Sequence, residues 1–178
     1  PVETQDRVLK SLLKSAQNTK FGQDHNFSAV NSHKDFVKNI PIRGYEEFSS
    51  YIELIKKGEK NILWKGLPVY FAITSGTTSG IKYIPITKES LPEHFNASKN
   101  AMLLYIDETG KTDFLSGKLI FLQGSPTLDT NGVIKTGRLS GISAHHVPKY
   151  LQSNRLPSWE TNCIEDWETK VDKIIKET

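Results

Sequence analysis

Apolar residues recur every three to four positions in several stretches of the chain, a spacing that places them on one face of an α-helix. The pattern predicts helices over four ranges: Thr4 to about Gln17, Tyr45 to Lys57, about Lys88 to Ile106, and a last helix that ends near Lys176. Thr87 is the predicted N-cap of the third helix, whose core-facing residues are expected to be Leu91, Phe95, Met102, Leu103 and Ile106. The predicted apolar face of the last helix is Ile164, Trp167, Val171, Ile174 and Ile175.

A capping motif predicts one shorter helix. Ser32-His33-Lys34-Asp35 resembles a capping box, in which a hydroxyl and a side chain three residues later satisfy the first amides of a helix. This helix is expected to run to about Lys38. The segment Asn39-Ile40-Pro41-Ile42 is then predicted to be an extended connector, because a residue before proline avoids the α region.

Short apolar runs rich in aromatic and β-branched residues predict strands. The predicted strands are Tyr70–Ile73, Tyr83–Ile86, a buried strand at Lys118–Leu122, and Val133–Ile134 after an Asn-Gly hairpin signal at Asp129–Gly132. Because strands alternate with helices and no linker divides the chain, the sequence favours an α/β fold with a largely parallel sheet and flanking helices.

The strongest chemical signal lies between the first two predicted strands, in Thr74-Ser75-Gly76-Thr77-Thr78-Ser79-Gly80-Ile81-Lys82. Glycine lets the backbone approach a ligand closely, and successive amides in such a turn bind an anion. The hydroxyl groups add donors, and the lysine adds a compact positive charge. We therefore predict a β-hairpin phosphate loop, with a nucleotide bound by Thr74, Ser75, Gly76, Thr77, Thr78, Ser79, Gly80 and Lys82.

A Walker-type phosphate loop and a flexible linker are the alternatives to this interpretation. A Walker-type phosphate loop requires Gly-x-x-x-x-Gly-Lys-Ser/Thr, whereas only three residues separate Gly76 from Gly80, and Ile81 precedes Lys82. A flexible Ser/Gly linker would need neither two strand-forming flanks nor a lysine at the loop exit. Phosphate binding is the preferred interpretation.

Composition narrows the class of protein. The chain has 178 residues, of which 37% are hydrophobic and 24% charged, with a net charge of +3, so it is expected to be globular. Charges of both signs are mixed without a Lys/Arg run, so no nucleic-acid partner is expected. Cys163 is the single cysteine, which predicts no disulfide framework or cysteine metal site and favours a cytoplasmic location. No apolar run approaches about 20 residues, so no membrane partner is expected.

Three further polar residues are weaker candidates for binding substrate. Arg138 could pair with a carboxylate substrate, although a surface arginine is the preferred interpretation. His145 and His146 are adjacent, so one of them could face a cleft, but a structural role is favoured for both. No metal site and no catalytic acid or base is assigned.

The phosphate loop resembles that of the adenylate-forming superfamily, whose motif is of the type Thr/Ser-Ser/Thr-Gly-Thr-Thr-x-Gly-x-x-Lys. Three other segments, Asn18–Gly22, Pro41–Glu46 and Gly58–Trp64, together with the loop, are similar to the Gretchen Hagen family of acyl-acid amido synthetases. The segment Gly137–Gln152 looks more like the bacterial branch than the hormone-conjugating plant branch.

This resemblance implies an ATP- and Mg²⁺-dependent ligase. A carboxylic acid would be activated as an acyl-adenylate, and an amino acid would then displace AMP to form an amide. The family's adenine, ribose and Mg²⁺ segments and its C-terminal domain are expected beyond residue 178. Residues 1–178 are therefore interpreted as the N-terminal portion of a larger adenylate-forming domain, with little or no activity alone. An acyl-CoA ligase and a non-catalytic nucleotide-binding or protein-interaction module remain alternatives.

Overall fold

The computed structural model describes residues 1–74 and 80–178, with the side chains of Lys149 and Tyr150 excepted. The α-helices in this part of the chain are α1 Val2–Ala16, α2 Lys20–Asp24, α3 His33–Asn39, α4 Ser49–Lys56, α5 Leu91–Thr109, α6 Leu139–Ala144, α7 Lys149–Gln152, α8 Trp159–Asn162 and α9 Trp167–Glu177. The strands are β1 Tyr70–Ile73, β2 Tyr83–Ile86, β3 Leu119–Ile120, β4 Asp129–Asn131, β5 Ile134–Arg138 and β6 Arg155–Leu156. The chain divides into two compact units, residues 1–69 with 131–134 and residues 70–130 with 135–178.

The first unit is helical, and its sequence signals are confirmed. The Ser32 hydroxyl accepts from the Asp35 amide and starts α3, as the capping motif predicts. A 3₁₀ turn at Tyr45–Phe48 leads into α4, which ends before Gly58 at a φ of +87°. The buried apolar side chains of this unit are Leu13, Ala16, Val30, Ile52, Ile55, Ile62 and Ile134.

Two of the segments that carry the family resemblance lie side by side in this unit. The amide of Lys20 donates to Asn61 O at 2.7 Å, and that of Phe21 donates to Ile62 O at 3.0 Å. A side chain at Gly22 would collide with the carbonyl of Ala16, so the close packing of α2 on the end of α1 requires glycine there. These segments therefore build the first unit.

The second unit contains a four-stranded sheet in the order β2-β1-β5-β4. Strand β1 pairs antiparallel with β2 and parallel with β5, while β3 and β6 form a separate parallel pair. Ala72, Ile86 and Ile142 form a buried cluster on which Leu91 and Leu128 pack. The predicted α/β class is confirmed, as are both predicted hairpins, and Gly132 turns the second one with a φ of +61°.

Helix α5 differs from the prediction at both ends. The predicted cap Thr87 instead exchanges hydrogen bonds with Ser90, the Thr87 amide donating to Ser90 Oγ at 3.0 Å and the Ser90 amide to Thr87 Oγ1 at 3.1 Å. This turn delays the start of the helix to Leu91. The helix then continues past its predicted end at Ile106 to Thr109 and ends at Gly110, which has a φ of +67°. None of its residues is fully buried. Leu91, Phe95 and Ile106 are half-buried, whereas Met102 and Leu103 are exposed, so the expectation that these two face the core was wrong for this part of the chain.

Two other predicted apolar surfaces are also corrected. The strand expected at 118–122 is only two residues long, and Ile120, Phe121 and Leu122 are half exposed or more, because β3 has a single pairing strand and forms a two-stranded sheet. In α9, Trp167 and Ile175 are exposed, and the buried residues are Lys170 and Ile174. Apolar periodicity identified both elements, and in α9 it correctly included the buried Ile174, but it also counted exposed residues as packed and missed Lys170.

Candidate functional site

The predicted phosphate loop connects β1 to β2 at the open end of their hairpin. The amide of Thr74 donates to Lys82 O at 3.2 Å, which extends the antiparallel ladder one residue beyond Ile73 and Tyr83. Ser75, Gly76, Thr77, Thr78 and Ser79 lie outside the described residues. Their role in phosphate binding stays a prediction.

The described ends of the loop are exposed on one side of the hairpin and half-buried on the other. Gly80 has a φ of +79°, in the left-handed region that favours glycine, and Thr74 and Gly80 are exposed. Lys82 is half-buried, directly across the hairpin from Thr74. The open end of the hairpin therefore carries a hydroxyl residue, a permissive glycine and a cation.

Arg138 lies at the same edge of the sheet. In the parallel pairing of β1 with β5, Arg138 is the partner of Ile73, the last residue of β1. Both strands end there, so the exposed Arg138 and the start of the loop share the carboxyl edge where α/β proteins bind ligands. Of the weaker candidates, Arg138 is thus placed beside the predicted phosphate loop.

A loop packs closely against Arg138 from the other side. The amide of Gly124 donates to Ser140 Oγ at 3.2 Å. A Cβ on Gly124 would lie 2.6 Å from Arg138 Cδ, so the bare glycine backbone forms part of the surface on which the arginine rests. The sequence indicated only the end of a strand here, because a glycine that contacts a distant side chain leaves no local signal.

His145 and His146 are at the opposite end of α6 from Arg138. His145 Nε2 lies 2.7 Å from Pro126 O, to which it donates, and its ring meets that of Trp159 edge-on at 5.0 Å. Tyr70 Oη lies 3.2 Å from His146 Nε2, at the beginning of β1. Since Tyr70 and Ile73 are three strand residues apart, about 10 Å separates this contact from the hairpin end. A substrate role for the two histidines stays a prediction.

The ring of His146 packs against aromatic neighbours. It lies 5.3 Å from the ring of Phe95 and 5.8 Å, edge-on, from that of Tyr70. Desolvation lowers the pKa of His146, and the neighbouring His145 lowers it further. The neutral form of His146 is therefore favoured, and in this form Nε2 can accept a hydrogen bond from the Tyr70 hydroxyl group.

Lys170 is a buried cation that the sequence interpretation missed. It is 4% exposed, and its ammonium group donates to Asn162 O at 2.8 Å and to Gln123 O at 3.3 Å. Burial lowers its pKa. Its position four residues before Ile174 places it on the buried face of α9, and that spacing was the available signal.

Within residues 1–74 and 80–178, no three His, Cys, Asp or Glu side chains are grouped so that they could hold a metal ion. None of the helices in these ranges combines the length and hydropathy that a membrane crossing requires.

The fold is that of an α/β protein in which the end of the β1–β2 hairpin and Arg138 lie at the same edge of the sheet. A family model described as GH3 family N-terminal domain matches residues 1–176, and the chain belongs to this family. Indole-3-acetic acid-amido synthetase GH3.15 of Arabidopsis thaliana is 35% identical to it over 106 residues, which are 58% of this chain and 18% of that protein.

Solved structures show the same fold. AtGH3.15 acyl acid amido synthetase in complex with 2,4-DB matches 92% of this chain with a TM-score of 0.71 at 24% identity. A second structure, GH3.15 acyl acid amido synthetase, matches 94% with a TM-score of 0.71 at 22% identity. This chain spans 29% of the length of each. The similarity therefore covers nearly all of this chain and less than a third of these relatives.

Proposed function

We propose that this chain contributes the phosphate-binding hairpin of an ATP-dependent acyl-acid amido synthetase. One observation carries the proposal: in a GH3-family chain, the glycine- and hydroxyl-rich hairpin opens at the sheet edge where Arg138 also lies. The loop from Thr74 to Lys82, including Ser75–Ser79, would hold the phosphates through amides and hydroxyls. Lys82 and Arg138 would add positive charge.

The proposed reaction has two steps. A carboxylate oxygen of the acyl acid attacks the α-phosphorus of ATP, giving an acyl-adenylate and releasing pyrophosphate. The amine of an amino acid then attacks the acyl carbon, forming the amide and releasing AMP. The hairpin's contribution is to fix the phosphates and neutralise their charge, which lowers the barrier to attack on phosphorus.

Mg²⁺ fits this proposal as a companion of the nucleotide. In a complex with nucleotide, phosphate oxygens and water would be among the ligands of the ion. Arg138 could instead pair with the acid's carboxylate, and His145 and His146 are proposed as more distant substrate contacts.

Binding of Mg·ATP to the chain, measured by isothermal titration calorimetry, tests the proposal. We expect saturable binding that Lys82→Ala weakens, while Lys88→Ala, at an exposed lysine beyond β2, leaves it unchanged. Absence of Mg·ATP binding, or equal effects of the two substitutions, would overturn it.

The reaction class needs a separate assay. Because residues 1–178 are expected to have little or no activity alone, the full-length enzyme that contains them is incubated with Mg·ATP and a panel of carboxylic acids, with either amino acids or coenzyme A as acceptor. Pyrophosphate and AMP are measured, and amide formation would support the proposal. Product formation only with coenzyme A would instead identify an acyl-CoA ligase.

A further inference from the structure

Lys170 occupies an unusual position for a lysine. Its side chain is buried, and no carboxylate in residues 1–74 or 80–178 lies within ion-pairing distance of its ammonium group. Two main-chain carbonyls, of Asn162 and Gln123, accept its protons instead. Burying a cation that has no carboxylate partner is unfavourable. We therefore infer that the lysine at this position is explained by its two contacts with main-chain carbonyls, which hold those carbonyls in place.

Gln123 is held by a second cation as well. Arg155 donates from its guanidinium group to Gln123 Oε1 at 3.1 Å, and the same group lies over the ring of Phe121 at 4.9 Å. The backbone oxygen of Gln123 is therefore bound by Lys170 and its side-chain oxygen by Arg155. Both the position and the orientation of this residue are constrained.

The residue that follows Gln123 is the one on which Arg138 rests. Gly124 donates to Ser140 Oγ, and its Cα faces the aliphatic part of Arg138 so closely that a Cβ would lie 2.6 Å from Cδ. A shift of the Gln123 carbonyl would move Gly124 directly, because one peptide unit joins them. The contacts thus form a continuous path from Lys170 through Gln123 and Gly124 to Arg138.

We propose that Lys170 is a positioning residue for the nucleotide site: by binding the Gln123 carbonyl it keeps Gly124 against Arg138 and directs the guanidinium group toward the end of the β1–β2 hairpin. The inference rests on the proposed function for its ligand, but the path itself lies entirely within the second unit. Lys170 touches no substrate and acts through Arg138.

The decisive test is a double-mutant cycle on Mg·ATP affinity. We expect Lys170→Met to weaken binding roughly tenfold, in the range found when groups that orient a ligand-binding side chain are removed. If Lys170 acts through Arg138, Lys170→Met adds no further loss in an Arg138→Ala background. Additive losses would overturn the proposal. Lys176→Met, at an exposed lysine on the same helix, is the matched control and should bind as the unmodified chain does.

A spectroscopic measurement separates this inference from the proposed function. In ¹H–¹⁵N spectra without nucleotide, Lys170→Met should shift the Gly124 amide and Arg138 Nε signals, and Lys176→Met should leave both in place. If the unmodified chain does not bind Mg·ATP, the proposed function fails, but these shifts still decide whether Lys170 orients Arg138. Unchanged signals in a folded Lys170→Met variant would refute the positioning role.

A second variant addresses the case in which Lys170→Met does not fold. Gly124→Ala inserts a methyl group against the flexible Arg138 side chain and leaves Lys170 intact. It should displace the Arg138 Nε signal and lower Mg·ATP affinity by a similar factor. If Gly124→Ala changes neither, Gly124 does not set the orientation of Arg138, and the proposal is wrong.

Discussion

Ile73 and Arg138 are paired residues at the carboxyl ends of two parallel strands, although they are far apart in the sequence. This pairing places an exposed cation beside the start of the glycine- and hydroxyl-rich loop. It is the relationship on which the proposed nucleotide site depends.

Arg138→Ala is expected to weaken Mg·ATP binding about tenfold, corresponding to the loss of one charge-assisted hydrogen bond. Calorimetric titration measures the change. Lys135→Ala provides a control on the same strand, since Lys135 is an exposed cation paired with Tyr70 at the opposite end. Equal effects of the two substitutions would show that net charge, and not position, determines binding.

Gly80→Ala is expected to reduce Mg·ATP affinity by straining the loop exit. A Cβ at Gly80 meets no atom within 4 Å, so the cost arises from its φ of +79° and amounts to about 1–2 kcal/mol. Gly117→Ala is the control, because a Cβ there also meets nothing and the φ is not positive. Unaltered binding by Gly80→Ala would mean that the loop exit adopts another conformation with nucleotide.

Glu177 is expected to make the second unit sensitive to acid. Its carboxylate accepts from the amide of Ser158 at 2.6 Å and from the hydroxyls of Ser158 and Thr161, joining the end of α9 to the start of α8. The Thr161 hydroxyl and the Ser158 donors lower the pKa of Glu177 below the ordinary 4.5. The folded state therefore binds this proton less readily than the unfolded state, and the stabilisation is present at neutral pH and lost as pH falls through the lowered value.

Glu177→Gln should lower the free energy of unfolding at pH 7 by about 1–2 kcal/mol, since a neutral amide replaces a charged acceptor. Urea titrations at pH 7 and pH 3 measure it, and the difference from the unmodified chain should shrink at the lower pH. Glu165→Gln, at an exposed carboxylate before α9, should change little at either pH. A difference that stays constant with pH would contradict the linkage.

His25 is expected to stabilise the first unit through its hydrogen bonds. Its Nδ1 donates to Phe21 O at 2.8 Å, so Nε2 carries the lone pair that accepts from Arg43 at 2.6 Å. His25→Phe would keep the stacking on Phe21, now at 4.1 Å between ring centroids, but would leave the guanidinium group without this acceptor.

We expect His25→Phe to cost about 2–3 kcal/mol in the free energy of unfolding, the range for losing a hydrogen bond to a charged group. Chemical denaturation followed by circular dichroism measures it. His33→Phe, at an exposed histidine in α3, is the matched control. A stability equal to that of the unmodified chain would show that solvent satisfies Arg43 equally well.

The features that the sequence predicted correctly depend on neighbours in the chain. The Ser32 cap, the Gly58 stop, the Asn131-Gly132 turn and the β1–β2 hairpin are all determined within a few residues. Pairing of β1 with β5 and burial of Lys170 depend on residues far away in the sequence. Local pattern can place Lys170 on the packed face of its helix, but it cannot show which distant groups the lysine contacts, so the support beneath Arg138 was missed.

Apolar periodicity misled where it had to decide which face of an element is covered. Helix α5 and strand β3 have the composition of core elements, yet Leu103 and Phe121 are half exposed in this part of the chain. In α9 the buried face includes a lysine because carbonyls are there to receive its protons. Hydrophobicity identifies the residues that can be buried. Whether they are buried depends on which other elements of the fold pack against them.

The order in which β1 acquires its partners has a consequence for synthesis. Its antiparallel neighbour, β2, is complete once residue 86 has been synthesised. Its parallel neighbour, β5, is complete only after residue 138. Closing a long loop is entropically slower than zipping a hairpin. A nascent chain can therefore form the loop-bearing hairpin before Arg138 is available to pair beside it.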